Sequence, residues 1–82
     1  MLNCIKINLN DFTKLQDFAR RVTKYSSAVE MWHSERPEAV YCAKSIMSIM
    51  AIDLSSPVYV RIVTVDEKEA DKFYKEMQEV FA

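Results

Sequence analysis

Two different spacings of hydrophobic residues follow one another at the start of the chain. Ile5, Ile7 and Leu9 alternate with polar or small residues, which is the two-residue period of a half-buried strand. A first strand is therefore predicted from Asn3 to Leu9. The apolar residues then recur at steps of three and four behind Asn10, the expected N-cap of an amphipathic helix. The members of this helical stripe are Phe12, Leu15, Phe18, Ala19 and Val22.

The middle of the chain returns to alternation in short runs. In SSAVEMWH, Val29 and Met31 alternate with more polar or aromatic neighbours, and EAVYCAK alternates in the same way. The SERPE segment between these runs has turn chemistry, so together they predict a β-hairpin. A further run, VYVRIVTV, is rich in β-branched residues and predicts a strand with Val58, Val60 and Ile62 on one face.

Two helices are predicted in the second half of the chain. The KSIMSIM segment predicts a short helix with Ser45 as its N-cap. Asp66 and Glu69 form a capping-box-like start for a longer helix at the C-terminal end. The apolar stripe of this last helix consists of Ala70, Phe73, Met77, Val80 and Phe81.

The predicted order of elements is strand, helix, strand, strand, short helix, strand, helix. It is typical of a single α+β domain over residues 1–82, an open-faced sandwich in which a four-stranded antiparallel sheet carries three helices on one face. The predicted core consists of Ile5, Ile7, Phe18, Val22, Val29, Met31, Tyr41, Val60, Ile62, Phe73, Met77 and Val80. The predicted outer face of the sheet consists of Trp32, Val40, Cys42, Tyr59 and Val63. Because this uncovered face is unusually apolar, we expect its members other than Cys42 to form an interface, in a homodimer or with a larger partner.

Composition excludes several functional classes. The 11 basic and 12 acidic residues are scattered, so the electrostatic signature of a nucleic-acid-binding protein is missing. The chain has no glycine, so neither a P-loop nor a dinucleotide-binding loop is possible. No signal-peptide pattern or membrane-length apolar run is present, so we expect a cytoplasmic protein that does not bind a membrane. We expect Cys4 and Cys42 to remain reduced thiols in that compartment.

The segment AKSIMSIMAI, residues 43–52, concentrates large flexible side chains in one short helix. Such a helix cannot bury all of its isoleucine and methionine side chains, so we expect Ile49 to point inward and Ile46 and Met47 to stay partly exposed. Exposed methionine beside isoleucine suits an adaptable protein-binding surface. We expect that surface to consist of Ile46, Met47 and Met50.

The sequence offers no clear catalytic or metal-binding constellation. His33 is the only histidine and follows a predicted strand without a second ligand or nucleophile nearby, so we expect it on the surface. No metal-ligand spacing is found in the chain. We therefore expect neither a cofactor nor enzymatic activity.

Two segments, KSIMSIMAIDLSSPVYVRI and DEKEADKFYKEM, resemble the HPr family of the bacterial phosphotransferase system. The resemblance extends over nearly the whole chain and implies the HPr-like arrangement of four strands and three helices. HPr proteins relay a phosphoryl group from enzyme I to sugar-specific transporter components. They carry it on a histidine at the start of the first helix, which is usually followed by an arginine and a proline.

The corresponding region of this chain reads NLNDFTKLQDF and contains no histidine. Asp11 or a neighbour stands in the place of the histidine, and Thr13 and Lys14 stand where arginine and proline are usual. The resemblance therefore implies a divergent member without the active-site histidine. HPr kinase phosphorylates a serine of the family in some Gram-positive bacteria, and by residue-for-residue match this regulatory serine is Ser45. A related branch, the catabolite-repression HPr homologues, also keeps the serine and lacks the histidine.

We therefore expect a non-catalytic HPr-like protein with partners of the phosphotransferase or catabolite-regulation type. Two alternatives stay open: a phosphocarrier with an atypical acceptor such as Asp11, and a small-molecule-binding regulatory domain of ferredoxin-like type. Phosphorylation by enzyme I and phosphoenolpyruvate would favour the first alternative. A ligand-dependent thermal shift in the absence of any partner would favour the second.

Overall fold

The computed structural model describes residues 4–82, apart from the side chain of Ile46. Helices and strands follow one another in the predicted order. They are β1 (Ile5–Ile7), α1 (Phe12–Val22), β2 (Ala28–His33), β3 (Arg36–Cys42), α2 (Ile46–Ala51), β4 (Val58–Val63) and α3 (Glu67–Phe81). The predicted α+β class, a four-stranded antiparallel open sheet with three helices, is confirmed.

The first strand is shorter than the hydrophobic alternation predicted. It spans Ile5–Ile7, and Asn3 lies outside the described residues. Leu9 is buried although it follows the strand. The backbone N–H of Asn8 donates to the carbonyl of Phe81 at 3.0 Å, so the chain is held here by α3 and not by a neighbouring strand. The alternation of burial therefore continues past the end of the strand.

The sheet has the strand order β1-β4-β2-β3, and every neighbouring pair is antiparallel. Ile7 pairs with Val58 on one side of β4, and His33 pairs with Val58 on the other. The end of β1, the start of β4 and the end of β2 therefore lie at the same end of the sheet. The chain enters α1 from this end, and the loop of residues 53–57 connects α2 to it.

The core lies on one face of the sheet. Inward side chains of the strands and the apolar sides of all three helices form one buried cluster, so the helices cover the same face. Its largest fully buried members are Phe18, Phe73, Phe81, Ile7, Leu9, Met31, Met77, Val22, Val29, Val58 and Val60. Burial of each such side chain stabilises the fold by roughly 1.5–3 kcal/mol before the entropy cost of ordering it.

Three predicted core residues are less buried than expected. Ile5 and Tyr41 are half-buried against the core cluster because they lie on the two edge strands, where neighbours cover only part of each side chain. Val80 is 37% exposed, so its placement in the core was wrong. Steps of four residues from Phe73 lead through Met77 to Phe81, and Phe81 is the residue that turns inward.

A polar network joins α1 to α3 at the rim of the core. The carboxylate of Glu76 accepts hydrogen bonds from the Tyr25 hydroxyl at 2.5 Å and from the Arg21 guanidinium at 2.6 Å. Arg21 also pairs with Asp17 at 3.0 Å, and Lys24 lies 3.4 Å from Glu76. Burial opposes ionisation of Glu76, but the hydrogen bonds from Tyr25 and Arg21 outweigh it and lower its pKa. The network therefore holds the two helices together through an ionised carboxylate.

Candidate protein-interaction site

The short helix α2 exposes both of its methionines. Met47 is 83% exposed and Met50 is 76% exposed, whereas Ile49 is buried at 3%. Because Met47 and Met50 are three residues apart, they are neighbours on one side of the helix. The inward position of Ile49 and the exposure of Met47 are confirmed. The side chain of Ile46 lies outside the described part of the structure.

Ser45 is the N-cap of α2, as predicted. Its backbone is extended, and its Oγ accepts a hydrogen bond from the N–H of Ser48 at 3.3 Å. The N–H of Ile49 donates to the Ser45 carbonyl at 3.0 Å and closes the first helical turn. This cap starts the helix at Ile46 and thereby places Met47 on the exposed side.

Asp11 caps the first turn of α1. The sequence had predicted Asn10 as the N-cap, and that prediction was wrong. The Asp11 carboxylate accepts a hydrogen bond from the N–H of Lys14 at 2.8 Å, and the N–H of Leu15 donates to the Asp11 carbonyl at 3.0 Å. Thr13 is exposed and Lys14 is half-buried within this turn. A capping carboxylate occupies one of the N–H groups that could otherwise bind a phosphate, and its negative charge repels a phosphate. The Asp11 cap therefore disfavours phosphate binding at this turn.

A change at Asp11 should reveal its capping role. Replacing Asp11 by Ala removes the hydrogen bond to Lys14 and should lower the free energy of unfolding by about 1 kcal/mol. Asp11→Ser restores a capping oxygen and should recover most of that loss. Urea denaturation followed by circular dichroism measures both variants. If Asp11→Ala is as stable as the wild type, Asp11 does not cap the helix.

Phe12 departs from the buried stripe to which its spacing assigned it. It is 71% exposed, because it lies about 120° around the helix axis from Phe18 and the first turn extends beyond the core. α1 begins at the end of the sheet to which the loop after α2 also leads. We call Phe12, Met47 and Met50 the α1/α2 surface. Phe12 is the member that sequence reasoning missed, since a helical stripe does not tell where the core ends.

The outer face of the sheet brings most of the predicted interface residues into one row. Trp32 stacks on Tyr59 with ring centroids 5.9 Å apart and pairs with Val40 in the hairpin. The Arg61 guanidinium lies 5.5 Å from the centroid of the Trp32 ring and also pairs with Glu30. Val63 is half-exposed beyond Arg61, at the opposite end of β4 from Tyr59. The face is therefore apolar around the stacked rings and charged between them and Val63.

His33 is not on the surface, so that prediction was wrong. It is 8% exposed and alternates with Val29 and Met31 on the core side of β2. The alternation that placed those two residues inward extends to His33, so the signal was present in the sequence. Glu35 donates its backbone N–H to Nδ1 of the imidazole at 3.0 Å.

Residues 4–82 contain no cluster suited to hold a metal ion and no helix suited to cross a membrane. No three or more His, Cys, Asp or Glu residues in this range lie close enough together to hold a metal ion. No helix in the same range is both long and apolar enough to cross a bilayer.

Comparison with protein-family models and with curated proteins gives no match to this chain. Function is therefore inferred from the fold, from the α1/α2 surface and from the chemistry of the first turn of α1.

Proposed function

We propose that this chain is an HPr-like, non-catalytic domain that binds protein partners of the phosphotransferase or catabolite-regulation type. The α1/α2 surface is the contact, and Ser45 is a regulatory phosphorylation site beside it. The observation that carries the proposal is the pair of exposed methionines on a Ser-capped short helix whose Ile49 is buried.

The exposed methionines contribute nothing to the core of this domain. A flexible, polarisable thioether adapts to differently shaped partners, which suits a surface that binds more than one protein. Phe12 adds an exposed aromatic ring at the start of α1. Aromatic residues and methionine are enriched at protein interfaces, where a few such residues provide most of the binding energy.

The first turn of α1 supports a role without phosphoryl transfer. Asp11 stands where the HPr resemblance places the phosphohistidine, and its carboxylate is committed to the cap. A carboxylate can accept a phosphoryl group, but such sites depend on a metal-binding acidic cluster. Asp17, the next acid along α1, faces Arg20 and Arg21 instead, at 2.5 and 3.0 Å.

Ser45 is suited to act as a switch for the same surface. Phosphorylation would add about −1.5 to −2 charges two residues before Met47. Lys44, the adjacent cation, donates a hydrogen bond from Nζ to the Tyr25 carbonyl at 2.5 Å and is therefore engaged elsewhere. The added charge would thus change the electrostatics of the α1/α2 surface and favour a different set of partners.

A competition experiment tests the proposal. Enzyme I and phosphoenolpyruvate are incubated with an active HPr protein in the presence of increasing amounts of this chain. The chain should slow phosphorylation of the active HPr protein by occupying enzyme I, while its own intact mass stays unchanged. A parallel incubation with HPr kinase and ATP should add one phosphoryl group to the wild type and none to Ser45→Ala.

Two results would contradict the proposal. A phosphoryl group gained from enzyme I would show an atypical phosphocarrier. If the chain does not slow the reaction at any concentration and HPr kinase does not modify it, it binds neither of the partners on which the proposal depends.

The stacked rings of Trp32 and Tyr59 favour a second proposed role for the outer face, self-association in a homodimer. Sedimentation velocity should show a concentration-dependent dimer, which Tyr59→Lys should shift to monomer by placing a charge at the centre of the contact. Val65→Lys, at a fully exposed loop residue, is the control and should leave the dimer unchanged. A monomer at every concentration, with Trp32 fluorescence open to a soluble quencher, would refute the dimer.

A further inference from the structure

A cavity of about 300 Å³ lies where the β2–β3 hairpin meets the end of α2. His33, Glu35 and Arg36 line it from the hairpin, and Ile52 and Asp53 line it from the segment after α2. The N–H of Ser34 donates to the Pro57 carbonyl at 3.3 Å and ties the two sides together. The volume is at the lower end of the range for small-molecule sites, so it suits a compact molecule and excludes a nucleotide.

His33 contributes its imidazole ring to the lining of this cavity. The side chain is buried to more than nine-tenths, and Nδ1 accepts the Glu35 N–H at 3.0 Å. In the neutral ring this bond puts the proton on Nε2. No hydrogen bond within residues 4–82 involves Nε2, and this nitrogen is not sealed from solvent, so a molecule that enters the cavity can reach it.

The cavity also presents unpaired charges of both signs. Arg36 forms no ion pair with any acid among the described residues, and neither does Glu35 with any base. Asp53 accepts hydrogen bonds only from the N–H and hydroxyl of Ser55, at 3.0 and 2.6 Å, and keeps its negative charge, since the Ser55 hydroxyl lowers its pKa. Two residues with donor groups, His33 and Arg36, therefore line the same small space as the acidic residues Glu35 and Asp53.

We propose that this cavity binds a small α-amino acid. The ligand carboxylate would accept from His33 Nε2 and Arg36, and its ammonium group would donate to Asp53 and Glu35. A simple carboxylic acid would leave both acidic side chains facing an anion, and a simple amine would leave both donors unpaired. Ile52 and the neighbouring Ala51 line the cavity with apolar surface, which favours a short aliphatic side chain such as that of alanine.

The single histidine gives this proposal a direct readout. The imidazole of ¹⁵N-labelled protein has one set of nitrogen signals, all from His33. Titration with L-alanine should shift the Nε2 signal saturably, with a dissociation constant in the millimolar range. Propionate lacks the amine and ethylamine lacks the carboxylate, so each should bind at least about tenfold more weakly than alanine.

A matched pair of variants tests whether Arg36 contacts the ligand. Arg36→Gln removes the guanidinium from an exposed position and should weaken alanine binding about tenfold or more. Arg20→Gln, on the exposed side of α1, should leave binding unchanged. The proposal is overturned if alanine gives no saturable shift, if propionate or ethylamine binds as tightly as alanine, or if Arg36→Gln binds like the wild type.

Discussion

Replacing Met47 and Met50 together by aspartate should weaken binding to enzyme I by at least about 100-fold. Each methionine is more than three-quarters exposed, and the two are neighbours within the α1/α2 surface. Loss of a hot-spot interface residue costs about 2 kcal/mol or more, and two carboxylates buried at the contact would add a desolvation penalty. The inhibition constant in the competition experiment measures the effect.

A stability measurement distinguishes loss of the contact from unfolding of the double variant. Exposed side chains contribute little to folding, so the free energy of unfolding should stay within about 0.5 kcal/mol per substitution. Val65→Asp makes the same kind of change at a fully exposed valine outside the α1/α2 surface and should inhibit like the wild type. Equal inhibition by the double variant and the wild type would show that enzyme I contacts another face.

The largest stability effect outside the apolar core is expected at Glu76. Glu76→Ala should lower the free energy of unfolding by about 2–3 kcal/mol, because it removes the acceptor of Tyr25 and leaves Arg21 with only one acidic partner. For a domain of this size the melting temperature should fall by on the order of 10 °C or more. Glu79→Ala, at an exposed position three residues further along α3, is the control and should have little effect.

Glu76 also sets the direction of the pH dependence. Its pKa is lower in the folded state than in the unfolded chain, so the unfolded chain binds more protons between the two values and stability falls as the pH falls. The contribution is complete above the ordinary glutamate pKa of about 4.3 and is lost below it. The hydrogen bond from Arg21 lowers the pKa of Asp17, and the hydrogen bond from Ser27 lowers the pKa of Glu69. Protonation of these two carboxylates at acidic pH therefore also lowers stability.

Measuring the stability of Glu76→Gln as a function of pH isolates the contribution of the Glu76 charge. Glutamine keeps the size of glutamate and an acceptor for Tyr25 but never ionises. The difference in free energy of unfolding between wild type and variant should therefore be largest at neutral pH. The gap should narrow as the pH falls below about 4. A gap that is constant from neutral to acidic pH would show that the charge of Glu76 contributes nothing to folding.

The pattern of hydrophobic residues was sufficient to predict the order of elements and most of the core. Two-residue alternation placed Val29, Met31 and Val60 inward, and steps of three and four did the same for Phe18 and Phe73, because the geometry of each element fixes the direction of its side chains. The same geometry predicted the row of Trp32, Val40 and Tyr59 on the outer face.

Other features depend on where an element begins or on contacts distant in sequence. Asn10 and Asp11 can both cap a helix, so the sequence did not fix the first turn or the exposure of Phe12. His33 was assigned by its residue type although its alternation pointed inward. Arg21 and Glu76 are 55 positions apart, and only the packing of α1 on α3 brings them together.

The account has two separable parts. The proposed binding of partners depends on Phe12, Met47 and Met50, whereas the proposed amino-acid site lies between the β2–β3 hairpin and the end of α2 and includes none of these three residues. A variant such as Arg36→Gln should therefore leave inhibition of enzyme I unchanged. Changes in the α1/α2 surface should likewise leave alanine binding unchanged.

Chemical-shift mapping tests the central proposal most directly. Amide spectra of the ¹⁵N-labelled chain are recorded during titration with enzyme I, without phosphoenolpyruvate, so that binding is observed apart from any phosphorylation. The account predicts that the shifted or broadened signals cluster at Phe12, Met47 and Met50, with those of β3 unchanged. No change at saturating enzyme I, or changes centred on the outer face around Trp32, would contradict it.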